Sequence, residues 1–307
     1  MAEAATSKSA PSTNRSLEVS NLSFALTISI PVLLFLLVVV AYPLAYAFYL
    51  SFNDIRFFGG YSAEWAGLAN YVKVFSDPSF WSSLGRTLRF TAETVILTLA
   101  VGLGLALILK RLPGKWRWLR ALIILPWAVS PYGAGILFTY LGRGQSGIGT
   151  AVAALLGSDQ TVNLISAGFV VEYLAIGAAW NMAPLVAFFL LANMLTIPAR
   201  LYDLAKIDQM SRFETFWHVT RPPLRFTLFV FTCIITVLAM KTFDYIFTAT
   251  QGGPGTASAV LTYTLYKISF VNLDLGYGAA MSFFLLAVIL GSTAILYFAW
   301  GRKEERQ

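Results

Sequence analysis

The chain has 307 residues, 57% of them hydrophobic and only 12% charged, with a formal net charge of +7. Soluble domains carry about a quarter charged residues, so half that share and a mean hydropathy of +0.69 exclude an ordinary aqueous core and point to burial in lipid. The basic residues cluster in short loops between apolar runs, a membrane-topology signal and not a nucleic-acid footprint. The single cysteine, Cys233, sits inside an apolar run and reads as a small packed hydrophobe, with no disulfide framework and no metal cluster.

Residues 1–20, rich in Ala, Ser and Thr, predict a disordered tail. Six apolar runs follow, near 22–50, 87–110, 119–141, 165–194, 223–248 and 275–300, and a short tail closes the chain at 301–307. Each run can cross a hydrocarbon core about 30 Å thick, which takes roughly 20 residues. Each must be helical, because lipid offers backbone amides no partner and the alternation of a barrel strand is absent. The first run has no small-residue cleavage site and reads as a retained helix. The 51–86 loop is aromatic-rich, with Tyr61, Trp65, Tyr71, Phe80 and Trp81 suited to an interfacial belt. Gly102 and Gly104 in the second run allow close helix approach. Pro126 and Pro131 bracket the middle of the third run and Pro184 interrupts the fourth, so kinks are expected there. No second domain and no internal repeat is visible.

Orientation follows from Lys and Arg. The 110–120 loop holds Lys110, Arg111, Lys115, Arg117 and Arg120, and the 200–225 segment holds Arg200, Lys206, Arg212, Arg221 and Arg225. The C-terminus adds Arg302, Lys303 and Arg306, whereas the opposite loops hold only Arg143 and Lys267. Both termini and the 199–222 segment are therefore expected on the cytoplasmic side.

That segment is the longest stretch of mixed charge between apolar runs, and it predicts two short helices, 199–210 and 212–220. Ser211 is a candidate N-cap, Pro198 suits a helix start, and Pro222-Pro223 are expected to stop the second helix and launch the fifth span. Leu204, Ile207 and Met210 follow i, i+3 spacing beside Asp203 and Lys206, a ridge suited to a groove on a partner protein.

These residues resemble the coupling loop (the EAA loop) of the membrane subunits of binding-protein-dependent ABC importers. Asp203-Leu204-Ala205 stands at its Glu-Ala-Ala, Asp208-Gln209-Met210 at its Asp-Gly-Ala, and Phe216, Trp217 and Pro222 at its aromatic turn and proline. Asp203 replaces the glutamate, and Gln209 stands where the family's glycine permits the turn, so its backbone must be helical or left-handed. Gly67-Leu68-Ala69-Asn70-Tyr71 looks like the first external loop of the maltose-type sugar permeases. Gln251-Gly252-Gly253-Pro254-Gly255 and Leu275-Gly276-Tyr277-Gly278 look like their last loop and final helix. The resemblance covers roughly residues 24–300.

It implies an all-α integral membrane protein, a type I ABC importer permease with six transmembrane helices and a cytoplasmic two-helix coupling loop. Such a chain is one half of a heterodimeric pore in a bacterial inner membrane. It works beside a second permease, two ABC ATPases that hold ATP and Mg, and an extracytoplasmic solute-binding protein. The chain itself would bind no cofactor or metal and hold no catalytic residue. Accordingly, Gly114-Lys115 lacks the upstream glycine and following hydroxyl of a P-loop.

The resemblance assigns Asp203, Leu204, Ala205, Ile207, Asp208, Gln209 and Met210 to ATPase coupling. Ionisable groups within spans mark pathways or satisfied pairs, and here they are Glu93, Glu172, Lys241 and Asp244. Lys241 and Asp244, i, i+3 apart, could form a local salt bridge. By resemblance they instead join Thr242, Tyr245, Trp180, Asn181 and Met182 as the substrate pathway. Lys241 would suit an acidic or phosphorylated sugar or donate to hydroxyls, and Asn181 could bind a hydroxyl or a neighbouring helix. Glu172 and Tyr173 lie toward the outer end, within reach of a binding protein. Gly252, Gly253, Pro254 and Gly255 could dock that protein or form a plain flexible loop. His218, the only histidine, completes no constellation. The solute is read as a sugar or sugar derivative, with glycerol phosphate or another polyol as the alternative. A membrane enzyme needs an acidic or histidine cluster at one face, which is absent, and a secondary transporter needs no 199–222 element.

Overall fold

The computed structural model describes residues 21–56, 62–116 and 118–301. The 1–20 tail, Tyr61, Arg117 and residues 302–307, with Arg302, Lys303 and Arg306, lie outside them. In chain order the described elements are α1 (Phe24–Ser51), the antiparallel ribbon β1 (Asn53–Arg56) and β2 (Ser62–Trp65), α2 (Ala69–Ser76) and α3 (Pro78–Arg111). There follow α4 (Leu119–Ile123), α5 (Leu125–Ala128), α6 (Pro131–Gly142), α7 (Ile148–Leu155), α8 (Val170–Thr196) and α9 (Ala199–Ile207). The last are α10 (Arg212–Met240), α11 (Asp244–Ala249), α12 (Leu261–Tyr266) and α13 (Leu275–Trp300). Among the described residues α1 up to Tyr49 forms one unit, and residues from Leu50 onward form a second.

Five of these helices, α1, α3, α8, α10 and α13, are long and apolar enough to cross a membrane. The expected third span, 119–141, is divided into α4, α5 and α6. Its prolines do more than kink it. Pro131 forces Ser130 into extended backbone (ψ 152°), and the Ser130 hydroxyl then accepts from Gly133 N–H and starts a new helix.

Pro222-Pro223 behave in the opposite way. The expected stop is absent, and α10 runs through both prolines to Met240. The preceding turn, Phe216–Thr220, widens to π-helical bonding, with Arg221 N–H donating to Phe216 O. A widened turn moves aside the carbonyls that proline rings would strike. The same device precedes Pro43 in α1, where Leu37–Ala41 is π-helical and Tyr42 N–H donates to Leu37 O. At its far end α10 stops short of the expected 248, and Lys241–Phe243 are non-helical before α11 begins.

Helix α8 is the centre of the second unit, with 67% of its most apolar window buried. That fits a sequence apolar around its whole circumference. Phe90, Phe138, Tyr173, Leu174, Tyr245 and Ile246 join α3, α6, α8 and α11 in one cluster. Leu109, Val186, Leu190, Met194, Leu224 and Ile235 join α3, α8 and α10 in another. A third, around Phe80, Leu84, Tyr277 and Met281, joins α2, α3 and α13.

Helix α3 has 34 residues and is therefore about 50 Å long. It begins before the expected 87 because Asp77 caps it, accepting from Ser79 N–H at 2.8 Å, with Pro78 in the first turn. At this end Lys73 pairs with Asp274 at 2.6 Å, the Tyr277 hydroxyl donates to Asp77 at 2.6 Å, and Arg86 Nε donates to Ala259 O at 2.9 Å. Burial pushes the Asp77 carboxyl up, but the bonds from Tyr277 and Ser79 outweigh it and hold the group below the usual carboxylate range. At the other end Lys110 Nζ donates to the Tyr202 hydroxyl at 2.5 Å. The 51–86 and 251–277 regions thus share one end of α3, and the 199–220 element shares the other.

Of the two glycines marked in α3, only Gly102 faces a neighbour. A Cβ there would lie 2.9 Å from Val186 on α8, whereas Gly104 faces open space. Gly102→Leu is expected to cost about 1–3 kcal/mol by overpacking. Gly104→Leu should be neutral or better, read by thermal unfolding of the purified chain.

Candidate functional site

Helix α9 ends at Ile207, three residues before the expected 210. Gln209 takes the left-handed conformation, φ +50°, one of the two the sequence allowed. Gln209 N–H donates to Lys206 O at 3.1 Å and Met210 N–H to Ala205 O at 2.9 Å. These are the paired bonds of a Schellman stop, with glutamine in the position glycine usually fills. Ser211 then caps α10 as predicted: its hydroxyl accepts from Glu214 N–H while Glu214 accepts from Ser211 N–H. On α9, Ala205 is buried, while Leu204 and Ile207 are 43% and 74% exposed. Asp203 and Asp208 are exposed as well, and Asp203 pairs with Lys206 at 2.9 Å. Met210 does not extend the ridge. It lies beyond the helix end and lines a cavity between α9 and α3.

Near the midpoint of α8 a cavity of about 200 Å³ opens between α6, α8 and the non-helical Lys241–Phe243 link. Asn181, Met182, Lys241, Thr242, Asp244 and Tyr245 line it, so six of the seven residues assigned to the pathway converge. Trp180 does not line it and packs on Phe138, with ring centroids 5.6 Å apart. Lys241 and Asp244 are both exposed, and among the described residues neither makes an ion pair. Because α10 ends at Met240 and α11 starts at Asp244, their i, i+3 spacing is not helical spacing. Asn181 has a structural duty as well. Its Nδ2 donates to Pro126 O at 2.6 Å, which also accepts from Val129 N–H, and to Val129 O at 2.9 Å, both where the 119–141 segment breaks. The Tyr245 hydroxyl is buried against Gly177 without a hydrogen-bond partner.

The 251–255 stretch is an ordered turn. Gln251, Gly252 and Gly255 have positive φ, and Ser258 Oγ donates to Gly253 O at 2.7 Å while lying 2.7 Å from Thr250 Oγ1. A Cβ on Gly252 would strike the Tyr263 ring at 2.5 Å. Pro254 and Gly255 are exposed, with hollows of about 760 and 260 Å³ on either side of the turn. Glu172 forms an ion pair with Arg89, which also holds Glu93 at 3.0 Å, so both acids marked in these helices meet one arginine.

Residues 99–300 match the model of the family described as the binding-protein-dependent transport system inner membrane component. The chain belongs to this family. As a permease it is a transport subunit and not an enzyme, a multi-pass membrane protein of the type I importer fold. By the family's description it serves a transport system that depends on a binding protein. The permease is 31% identical over 289 residues to a sulfoquinovosyl glycerol transport system permease of Agrobacterium fabrum, covering 94% of each chain. It is 33% identical over 279 residues to a trehalose/maltose permease of Thermococcus litoralis, covering 89% of this chain and 92% of that one. A third relative is an sn-glycerol-3-phosphate permease of Brucella abortus, 32% identical over 265 residues and covering 83% and 87%. In fold the permease matches the crystal structure of a bacterial ABC transporter that imports the acidic polysaccharide alginate. The TM-score is 0.78 at 18% identity, covering 92% of this chain and 95% of that one.

Sequence reading missed Arg89, although its i, i+4 spacing to Glu93 was available. It also missed the bond between Lys110 and Tyr202, 92 residues apart, for which no local signal exists. Gln209→Gly should stabilise the permease by ~0.5–1 kcal/mol, the relief of a left-handed side chain less the added chain entropy. Gln209→Val should destabilise it, and thermal unfolding of the two variants separates the signs.

Proposed function

We propose that the permease is one half of a heterodimeric pore that imports a sugar or sugar derivative, driven by ATP and Mg bound on two partner ATPases. Asp203, Leu204, Ala205, Ile207, Asp208, Gln209 and Met210 form the ATPase-coupling element. In it Leu204, Ile207 and the two aspartates present the outward face, and Gln209 and Met210 build the turn. The observation that carries the substrate reading is the cavity beside α8, where Lys241 and Asp244 stand unpaired next to Asn181, Thr242 and Tyr245. Unpaired charge at such depth is costly unless solvent or a polar solute meets it. Trp180, away from the cavity, packs on Phe138, whose ring meets that of the lining residue Tyr245. Two of the three relatives above are named for solutes carrying a sulfonate or a phosphate, which favours an anionic sugar or a glycerol phosphate over a neutral one.

Gly252, Gly253, Pro254 and Gly255 form the docking turn for the solute-binding protein, an ordered projection between two hollows. Both termini lie in the cytoplasm. In a Cys233→Ser background, Gln145→Cys should react with a membrane-impermeant maleimide in intact cells and Asp208→Cys should not; the reverse pattern inverts the topology.

The substrate reading is tested by uptake in the assembled transporter. Lys241→Gln should lower uptake of an anionic solute by about tenfold, the loss of one charge-assisted bond, with ATPase assembly intact. Unchanged uptake removes the anionic reading. Asp208→Arg should instead prevent co-purification of the ATPase.

A further inference from the structure

At the end of α3 away from the docking turn, a cavity of about 500 Å³ opens between α3, α9 and the first turns of α10. Lys110, Arg111, Lys206 and Arg212 line it, and no carboxylate does. Lys110 is held in place: its Nζ lies 3.9 Å from the Tyr202 ring centre and donates to the Tyr202 hydroxyl, itself 3.2 Å from Thr220 Oγ1. Lys206 leans on Asp203 of its own helix. Arg111 and Arg212 are exposed, and among the described residues they make no ion pair. Arg212 also stands in the first turn of α10, where the helix dipole disfavours a cation. Helix stability therefore does not explain its charge.

The cavity's level in the membrane is marked. Leu107 supplies an apolar wall one turn inside the span. Just past the end of α3, Trp116 and Trp118 are 42% and 55% exposed, with ring centroids 6.3 Å apart. Indoles of this kind sit at the headgroup layer. Of the four cations only Lys206 has a carboxylate partner, so the other three repel one another until an anion enters, and guanidinium groups suit the oxygens of a phosphate.

We propose that this cavity binds a phosphate group at the membrane surface, with the headgroup of an anionic phospholipid as the source its depth favours. Arg111 and Arg212 grip the phosphate, Lys110 and Lys206 flank it, and Leu107 borders the start of an acyl chain. A bound headgroup bridges α3 to α9 from behind, leaving the outward face of α9 free. The site is independent of which solute is carried.

The test uses the full chain purified in detergent micelles, with thermal unfolding followed during titration by dioctanoyl phosphatidylglycerol, dioctanoyl phosphatidylcholine or inorganic phosphate. Phosphatidylglycerol should raise Tm saturably and phosphatidylcholine should not. Arg111→Gln/Arg212→Gln should weaken the response about tenfold or more, and Lys115→Gln, outside the cavity, should leave it unchanged. A saturable rise with inorganic phosphate that is lost in the double variant keeps the site and assigns it to a soluble phosphate. Equal responses to the two lipids, or no response to any of the three, overturn the proposal, and so does an undiminished response in the double variant. The lipid comparison needs no variant. Arg111→Lys/Arg212→Lys, expected to respond at an intermediate level, serves if the glutamine variant does not fold.

Discussion

Lipid supplies no hydrogen bonds, and that constraint governs how this chain is allowed to be irregular. Wherever a span is interrupted, a side chain or a widened turn takes over for the water that a soluble protein would use. Asn181 donates both amide hydrogens to the carbonyls at the break before α6. Thr262 donates to Thr242 O where α10 gives way to α11, and Thr139 donates to Ala249 O at the end of α11. The π turns before Pro43 and before Pro222-Pro223 solve the same problem without leaving the helix. The cavity beside α8 lies where the Lys241–Phe243 link meets the start of α6 at Pro131 and Ala134, just after the Val129–Ser130 break.

Five of the six long apolar runs and the helix pair at 199–220 were legible because their causes are local or additive. Transfer of apolar side chains into lipid sums along a helix, so hydropathy finds the long runs. Ser211 caps the second helix from the position the sequence marked, and Glu214 makes the bond reciprocal over three residues. The Gln209 turn was legible as a choice of two backbone conformations, and the fold takes the left-handed one.

What a proline does could not be read from the proline alone. Pro131 breaks its helix because Ser130 caps the new one and Asn181, on another helix, donates to the carbonyls at the break. Pro222 and Pro223 are absorbed because the turn before them widens. The Lys241–Asp244 pair failed for a related reason: spacing predicts contact only while the helix continues, and here it stops between them. Glu172 reaching Arg89, and Lys110 meeting Tyr202, depend on helices brought together by packing. Such meetings leave no trace in any short window of sequence.

The unbroken course of α10 has a mechanical meaning. Its first residue follows the Ser211 cap of the coupling turn, and its last borders the cavity at Lys241. With 29 residues it is a rod about 43 Å long. A hinge at Pro222-Pro223 would have dissipated any push delivered at the α9 end. A continuous helix instead behaves as a stiff lever, and a tilt imposed at Arg212 reappears as a displacement of the Lys241–Phe243 link. The widened 216–220 turn keeps its backbone hydrogen bonds, so the rod stays continuous from the Ser211 cap to Met240.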